Sequence, residues 1–317
     1  MKRLCLIAAA WLFSAAAALS QEWGIVNVSV CNLRETADFD AEMVSQALLG
    51  TPVHIIGEAD KLPQPWPQIQ TPDGYTGWVH YAVVERMSRE AYSAWNAAPK
   101  AIVTALSAVV HRSPSAKSET VSDVVAGDRL KLVATKGCWL QVEFPDKRQG
   151  YISRKDAMAE KTWRKQLDRS PEAILKTAKS MLGFPYIWAG MSPKGMDCSG
   201  FVRTVLFMHD VIIPRDSGPM SRVGERIESR SDLQPGDLVF FGRWDGDEPR
   251  VSHVGFYLGE DLFIHSLGLV KIGSFLPGRP EFDPYNAGRY LFGGRILPYV
   301  DQVPEINTTL TNPYYAE

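Results

Sequence analysis

The sequence has little net charge, few cysteines and no long hydrophobic run beyond its first twenty residues. Its 317 residues carry a formal charge of -2 at pH 7. That balance provides no basic surface for a polyanion, so nucleic acid is not expected as a partner. No stretch after residue 20 is long and apolar enough to span a membrane. The length instead predicts two or three folded domains.

Residues 1–20 have the pattern of a secretory signal peptide. Lys2 and Arg3 precede an apolar run, and Ala18 and Ser20 are the small residues that a signal peptidase requires before its cleavage point. We therefore exclude this segment from the fold and predict an exported protein, periplasmic or extracellular. An uncleaved membrane anchor is the alternative.

The cysteines do not define a disulfide pattern in the sequence. Removal of the signal peptide leaves Cys31, Cys138 and Cys198. Export permits disulfide bonds, but an odd number leaves at least one free thiol. Cys31 and Cys138 either pair or both stay free, and the sequence leaves this open.

A weak internal repeat occupies residues 24–157. In each copy a tryptophan is followed eleven residues later by a glycine: Trp66 and Gly77 in the first copy, Trp139 and Gly150 in the second. Short alternating runs separated by Gly, Pro and Asp turns indicate small β-barrels. The repeat resembles a tandem pair of bacterial SH3-like domains, which we place at residues 21–88 and 100–158.

The C-terminal half predicts an α+β domain at residues 165–300, followed by a polar tail at 301–317. Ser170 and Pro171 open a helix as its cap and first residue. A second helix follows Cys198. Strands are then expected at 237–241, 251–258, 262–267 and 290–297. Helices followed by an antiparallel sheet are typical of the α+β class.

Cys198 lies where a loop is expected to become a helix. Phe201, Val202 and Val205 recur after it at helical spacing. A thiol at a helix N-terminus meets unpaired backbone N–H groups and the positive end of the helix dipole, and both favour the thiolate. These features predict a nucleophile. The alternative is a buried structural cysteine.

Two histidines lie on adjacent predicted strands. A three-residue loop at 259–261 would make His265 the diagonal neighbour of His253 on one face of the sheet. A two-residue loop would separate the two rings unless a bulge restored the register. Cys198 as nucleophile, His253 as general base and His265 as the residue that orients this base form a catalytic triad. A metal site with these three ligands is the alternative, but we expect no metal or other cofactor.

Five motifs in order resemble the NlpC-type cysteine peptidases of bacterial cell walls. They are residues 185–190, 197–201, 235–241, 252–255 and His265. The resemblance covers about residues 170–297 and implies a papain-like core with the triad roles given above. Ala189 departs from the pattern, since many members carry glycine there, and we expect this departure to matter little.

The whole arrangement is similar to the γ-D-glutamyl-L-diamino-acid endopeptidases, also called dipeptidyl-peptidase VI. That resemblance implies that Asp216 and Ser217 hold the substrate amine and that the first barrel walls the cleft through Glu42 and Tyr75, with Tyr81 as the rival of Tyr75. The other candidate substrate-binding residues are Tyr186, Trp188, Asp197 and Ser199. Surface or core positions are the alternative for each.

The sequence thus predicts a monomeric cysteine peptidase that cuts the γ-D-glutamyl to diamino-acid bond of short peptidoglycan peptides with a free N-terminal L-Ala. The reaction would pass through an acyl-enzyme on Cys198. One alternative is a broader peptidoglycan endopeptidase or amidase whose barrels bind the polymeric wall. Another is a wall-binding protein with an inactive peptidase domain.

Overall fold

The computed structural model describes residues 22–316, so the predicted signal peptide lies outside the described residues. Two seven-stranded sheets precede a unit of helices and a six-stranded sheet. Among the described residues, no helix has both the length and the apolar character needed to cross a membrane.

The first sheet is antiparallel and has the order β3-β2-β6-β5-β4-β1-β7. Its apolar core includes Cys31, Leu33, Val53 and Ile69. The strands are β1 (Glu22–Val26), β2 (Val30–Arg34), β3 (Met43–Leu48), β4 (Pro52–Ala59), β5 (Trp66–Gln70), β6 (Thr76–Trp78) and β7 (Val84–Met87).

The second sheet repeats the first strand for strand, with the order β10-β9-β13-β12-β11-β8-β14. Trp66 and Trp139 begin equivalent strands, as the repeat predicts. The predicted linker between the two contains helix α1 (Arg89–Ala97), capped by Ser88. The strands are β8 (Lys100–Val103), β9 (Ser107–His111), β10 (Thr120–Val125), β11 (Arg129–Lys136), β12 (Trp139–Glu143), β13 (Gln149–Ser153) and β14 (Ala157–Ala159).

The third unit has its helices first and its main sheet afterwards, as predicted. The helices are α2 (Glu160–Gln166), α3 (Pro171–Lys179), α4 (Cys198–Phe207), α5 (Ser217–Met220), α6 (Pro284–Ala287) and, at the C-terminal end, α7 (Pro313–Ala316). A small hairpin joins β15 (Met191–Ser192) and β16 (Gly195–Met196). The main sheet contains β17 (Glu225–Ile227), β18 (Leu238–Asp245), β19 (Glu248–Gly259), β20 (Leu262–Leu267), β21 (Leu269–Ser274) and β22 (Tyr290–Arg295).

The main sheet has the order β17-β22-β18-β19-β20-β21. Four of these strands match predicted ones, whereas β17 and β21 were not predicted. Helix α4 packs its apolar side, including Phe201 and Val205, against this sheet in the largest core of the chain. Gly200 permits the close approach of the helix to the preceding loop, because a Cβ there would lie 1.9 Å from the carbonyl oxygen of Gly190.

The first sheet packs directly on the third unit. Arg203 of α4 forms a buried ion pair with Asp73 at 2.9 Å. The backbone N–H of Met191 donates to Gln46 Oε1 at 2.7 Å. A buried ion pair that loses one partner is strongly destabilising, so these contacts fix the first sheet beside the N-terminal part of α4.

The segment predicted as a polar tail is packed against the rest of the protein. The Tyr315 side chain is buried and its ring lies 4.7 Å from the Arg129 guanidinium of the second sheet. Asn312 donates to the carbonyl of Pro72 in the first sheet, and Thr309 donates to Asp210 of the third unit at 2.7 Å. The segment therefore connects all three units.

Candidate active site

Cys198 is the first residue of α4, as predicted. Asp197 caps the helix, and its Oδ1 accepts from the backbone N–H of Gly200 at 2.6 Å. The buried Arg215 donates to both oxygens of the same carboxylate, from Nη1 to Oδ1 at 3.2 Å and from Nη2 to Oδ2 at 2.6 Å. Its Nη1 also donates to Ser199 Oγ at 2.8 Å. Bidentate, charge-assisted bonds of this kind fix geometry as well as add energy. They therefore set the position of the helix end that carries the thiol.

The two histidines meet through the predicted register, although the turn differs from the prediction. Gly255 pairs with His265, and a bulge between Tyr257 and Gly259 precedes a two-residue turn. The bulge restores the parity that such a turn would otherwise reverse. Gly255 leaves room for this pairing, because a Cβ at that position would lie 3.0 Å from the Cβ of His265.

A chain of polar groups begins at His253. Its Nε2 lies 2.8 Å from His265 Nδ1, which leaves Nδ1 of His253 free for the thiol side. His265 Nε2 faces Asp283 Oδ2 at 3.6 Å, and Asp283 accepts from the backbone N–H and the amide of Asn286 at 3.0 and 2.7 Å.

The Asp283 carboxylate favours one tautomer through its charge, because 3.6 Å is too long for a hydrogen bond. With the His265 proton on Nε2, towards Asp283, its Nδ1 accepts a bond from His253 Nε2–H, and His253 Nδ1 becomes the basic lone pair. Sequence reasoning missed Asp283. The only local signal is an Asp-Pro helix start, which is common at caps and says nothing about a distant histidine.

Cys198 and His253 line the same cavity, but within residues 22–316 no hydrogen bond joins the thiol to the ring. The backbone N–H of Val254, next to His253, and that of Ser199 donate towards the sulfur. The strand that carries His253 therefore contacts the sulfur of Cys198 through its backbone. Such bonds are often long in unliganded enzymes and tighten when substrate binds.

The pKa shifts of Cys198 and His253 oppose the thiolate that the sequence predicts. Burial raises the pKa of the Cys198 thiol to about 12, against a smaller lowering by the two backbone N–H groups. Burial, with the neighbouring His265 second, lowers the pKa of His253 to about 3. Desolvation therefore outweighs the helix N-terminus in the free protein. Both shifts favour a neutral thiol beside a neutral imidazole over a preformed thiolate.

All eight predicted substrate-binding residues line one cavity of about 640 Å³ together with Cys198 and His253. Trp188 is 60% exposed, which excludes a core-packing role for it. Tyr75 reaches the cavity, whereas Tyr81 packs on the His80 ring at 4.1 Å and is not part of the wall. The eight residues are Glu42, Tyr75, Tyr186, Trp188, Asp197, Ser199, Asp216 and Ser217.

The end of the cavity next to the first sheet is acidic and partly desolvated. Burial raises the pKa of Asp216, although the Arg215 guanidinium opposes it. Burial and then the Asp216 charge raise the pKa of Tyr75. Burial, with the Cys198 charge second, raises the pKa of Tyr186 to about 12. Both phenols therefore remain hydrogen-bond donors at neutral pH.

The cavity also has walls that sequence reasoning missed. Tyr285 and Arg289 line the side next to His253, as does Ser252. Tyr285 lies in α6 and Arg289 in the turn before β22, far along the chain from the motifs. Nothing in the local sequence marks them as cleft residues.

Ala189 adopts a left-handed backbone conformation, with φ 60°, and its side chain is buried. Glycine reaches this region without a steric penalty, whereas an L-residue pays roughly 1–2 kcal/mol. This explains why many members carry glycine at this position, and it leaves the alanine of this chain without a structural explanation.

The described cysteines, Cys31, Cys138 and Cys198, are all free. Cys31 lies in the first core and Cys138 is exposed in the second sheet, so they are not bridged. Within the described residues, histidine, cysteine and acidic side chains form no group of three or more that could hold a metal ion.

Comparison with known proteins agrees with this geometry. A model of the NlpC/P60 family matches residues 183–275, and a model of the bacterial SH3 domain matches residues 29–85. A γ-D-glutamyl-L-lysine dipeptidyl-peptidase of Bacillus cereus is 32% identical over 71% of this chain and 67% of its own length. Dipeptidyl-peptidase 6 of Lysinibacillus sphaericus is 29% identical over 77% of this chain and 88% of its own length.

A crystal structure of an NlpC/P60 family protein from Bacillus cereus superposes with a TM-score of 0.74 at 26% identity, covering 87% of this chain and 100% of the other. The similarity therefore extends over the sheets and the papain-like unit together. The chain belongs to the NlpC/P60 family of cysteine peptidases.

Proposed function

We propose that this peptidase hydrolyses the γ-D-glutamyl to diamino-acid bond of short peptidoglycan peptides with a free N-terminal L-Ala. The observation that carries the proposal is the shared cavity. The Cys198–His253 pair and the acidic side chains of Asp216 and Glu42 line one space of about 640 Å³, and Glu42 lies immediately before β3 of the first sheet. The names of the relatives from Bacillus cereus and Lysinibacillus sphaericus support the same reaction class.

The acidic end suits a substrate ammonium group. The pKa of Asp216 is raised by burial in the unliganded cleft, and a bound cation reverses that shift because it stabilises the carboxylate. Glu42 supplies a second carboxylate and Tyr75 a hydroxyl. Because the first sheet closes this end, a peptide with further residues before L-Ala would clash with the wall.

The proposed reaction starts from a neutral Cys198 thiol and a neutral His253 imidazole. Sγ of Cys198 attacks the γ-carbonyl carbon while its proton passes to His253 Nδ1, so charge develops only as the bond forms. The Cys198 backbone N–H and the Tyr186 hydroxyl would stabilise the oxyanion. His253 then gives the proton to the leaving amine, and water, activated by the same nitrogen, hydrolyses the thioester.

His265 and Asp283 act through His253. His265 holds the ring by the 2.8 Å bond, and Asp283 stabilises the proton on the far side of His265. Both are positioning residues in this scheme, and Cys198 and His253 are the catalytic residues.

We further infer that the second sheet is also an SH3-like domain, since its strand order repeats that of the first. Domain limits at 21–88 and 100–158 remain our proposal; β7 ends at Met87, and β14 ends at Ala159, one residue past the second limit. The N-terminal sequence pattern supports export to the periplasm or the extracellular space, where peptidoglycan peptides occur.

The test is cleavage of L-Ala-γ-D-Glu-L-Lys and its diaminopimelate analogue by purified protein, followed by mass spectrometry. We expect L-Ala-D-Glu as one product, with no product from Cys198→Ala. Asp216→Asn should raise KM, and Asp247→Asn, a matched change at an exposed turn, should not. Release of fragments from intact sacculi, without cleavage of the tripeptides, would instead support the broader wall hydrolase.

A further inference from the structure

The catalytic cleft carries charges of both signs. Glu42 and Asp216 line it, and so does Arg289, which lies beside Ser252. The Arg289 charge is among the causes that lower the pKa of His253, so the guanidinium lies close to the general base. Its side chain is only partly exposed.

Two neighbours hold Arg289 in the wall. Its Nη2 donates to Ser252 Oγ at 2.6 Å, and Ser252 is the residue before His253. The guanidinium also lies 4.5 Å from the centre of the Tyr285 ring, an arrangement in which a cation is attracted to the aromatic face. Tyr285 lines the cleft as well, so the cation is positioned at the cavity rather than free in solvent.

Most hydrogen-bond donors of the Arg289 guanidinium are unused within the described residues. A guanidinium carries five N–H donors, and the Arg289 side chain makes one hydrogen bond, to Ser252, among residues 22–316. No carboxylate of the described residues lies within 4.0 Å of it, unlike Arg203 and Arg215, which are paired. A half-buried, oriented guanidinium without an acidic partner fits a carboxylate in bidentate geometry.

The position of Arg289 places it on the leaving-group side of the scissile bond. A base that also protonates the leaving amine must lie against the leaving residue. Arg289 stands beside His253 through Ser252, whereas the acidic residues face the N-terminal amine. The leaving residue of the proposed reaction is the diamino acid, which carries carboxylate groups.

We propose that Arg289 binds a carboxylate of the diamino-acid residue and thereby determines which peptides are cut. This inference rests on the proposed function. The carboxylate has two sources. A tripeptide offers its α-carboxylate, whether the third residue is lysine or diaminopimelate, whereas diaminopimelate also has a side-chain carboxylate that survives when the peptide continues.

The experiment compares kcat/KM for matched peptides that differ by one amide. The probes are L-Ala-γ-D-Glu-L-Lys, its C-terminal amide, and the diaminopimelate tripeptide amidated at either the α-carboxylate or the side-chain carboxylate. A lost charge-assisted hydrogen bond at a partly exposed site corresponds to about tenfold or more. In the wild type, kcat/KM should fall by this factor only when the carboxylate that Arg289 binds is amidated. The position of that amide therefore shows whether Arg289 binds the α-carboxylate or the side-chain carboxylate.

The Arg289→Gln variant should bring the ratio of free acid to amide close to one, and Arg289→Lys should give an intermediate ratio because it keeps a point charge but not the fork. Arg243→Gln, the same change at an exposed position of β18, should keep the wild-type ratio. If amidation has no effect in the wild type, or if the ratio survives in Arg289→Gln, the inference is wrong. If wild-type protein cleaves none of the peptides, the proposed function fails instead.

Discussion

Acidification should destabilise this protein through the buried histidine pair. Burial lowers the pKa of His253 to about 3 and that of His265 to about 4, whereas histidine in an unfolded chain titrates near 6.5. As the pH falls below about 6.5, the unfolded chain takes up protons that the folded protein excludes. The stability contributed by the neutral pair is therefore complete above the unfolded pKa and is lost towards lower pH.

The size of the effect follows from the linkage relation. Each histidine costs about 1.4 kcal/mol per pH unit while the unfolded chain is protonated and the folded protein is not. Between pH 6.5, where the unfolded histidine is half protonated, and pH 5, this is about 1.5–2 kcal/mol for each ring and about 3 kcal/mol for the pair. Native proteins are stable by only about 5–15 kcal/mol, so the loss is a large share of the total. The result requires only that both folded pKa values lie below about 5.

Urea unfolding at several pH values between about 5 and 7 measures this slope. The comparison is between the wild type and a His253→Gln/His265→Gln variant, with Cys198→Ala as the control for loss of activity alone. His209, whose pKa is also lowered by burial, and Asp216, whose pKa is raised, are common to all three proteins and cancel in the comparison. An equally steep loss of stability in the double variant would refute the reasoning.

Three further changes test other parts of the structure. Asp283→Asn should lower kcat by about tenfold or more with little change in KM, because it disturbs the tautomer of His265 without touching the substrate; an unchanged kcat would remove Asp283 from the scheme. Alkylation of Cys198 should quicken steadily as pH rises from about 6 to 9, since burial raises its thiol pKa; a rate already constant at about pH 6 would indicate a preformed thiolate. Tyr315→Ala should cost about 3–5 kcal/mol of unfolding free energy, because its ring is buried against Arg129; a loss below about 1 kcal/mol would show that the C-terminal segment contributes little.

Local patterns predicted the parts of the fold that local physics determines. The Cys198 helix and the strands around His253 and His265 have clear periodicity, so their class and register could be derived. The turn could not be read correctly, because a two-residue turn plus one bulge and a three-residue loop give the same register over the pairs that matter.

The missed residues lack a local signal. Asp283 reaches His265, and Arg289 reaches Ser252, only after β22 is placed in the sheet, and neither belongs to a periodic run. The C-terminal segment is polar in sequence, yet Asn312 and Tyr315 find partners in the other sheets. The choice of Tyr75 over Tyr81 likewise required the packing of the first sheet on the third unit. Tertiary contacts of this kind cannot be read from a single sequence.

The central claim is that the first sheet and Asp216 form an amine pocket at one end of the Cys198 cleft. The direct measurement is kcat/KM for L-Ala-γ-D-Glu-L-Lys with a free amine, against the same peptide acetylated at that amine. We predict cleavage between the glutamate and the lysine of the free peptide. Acetylation should slow it about a hundredfold or more, because the charge-assisted hydrogen bonds of the ammonium group and the space it occupies are both lost. Equal cleavage of the two peptides would contradict the account.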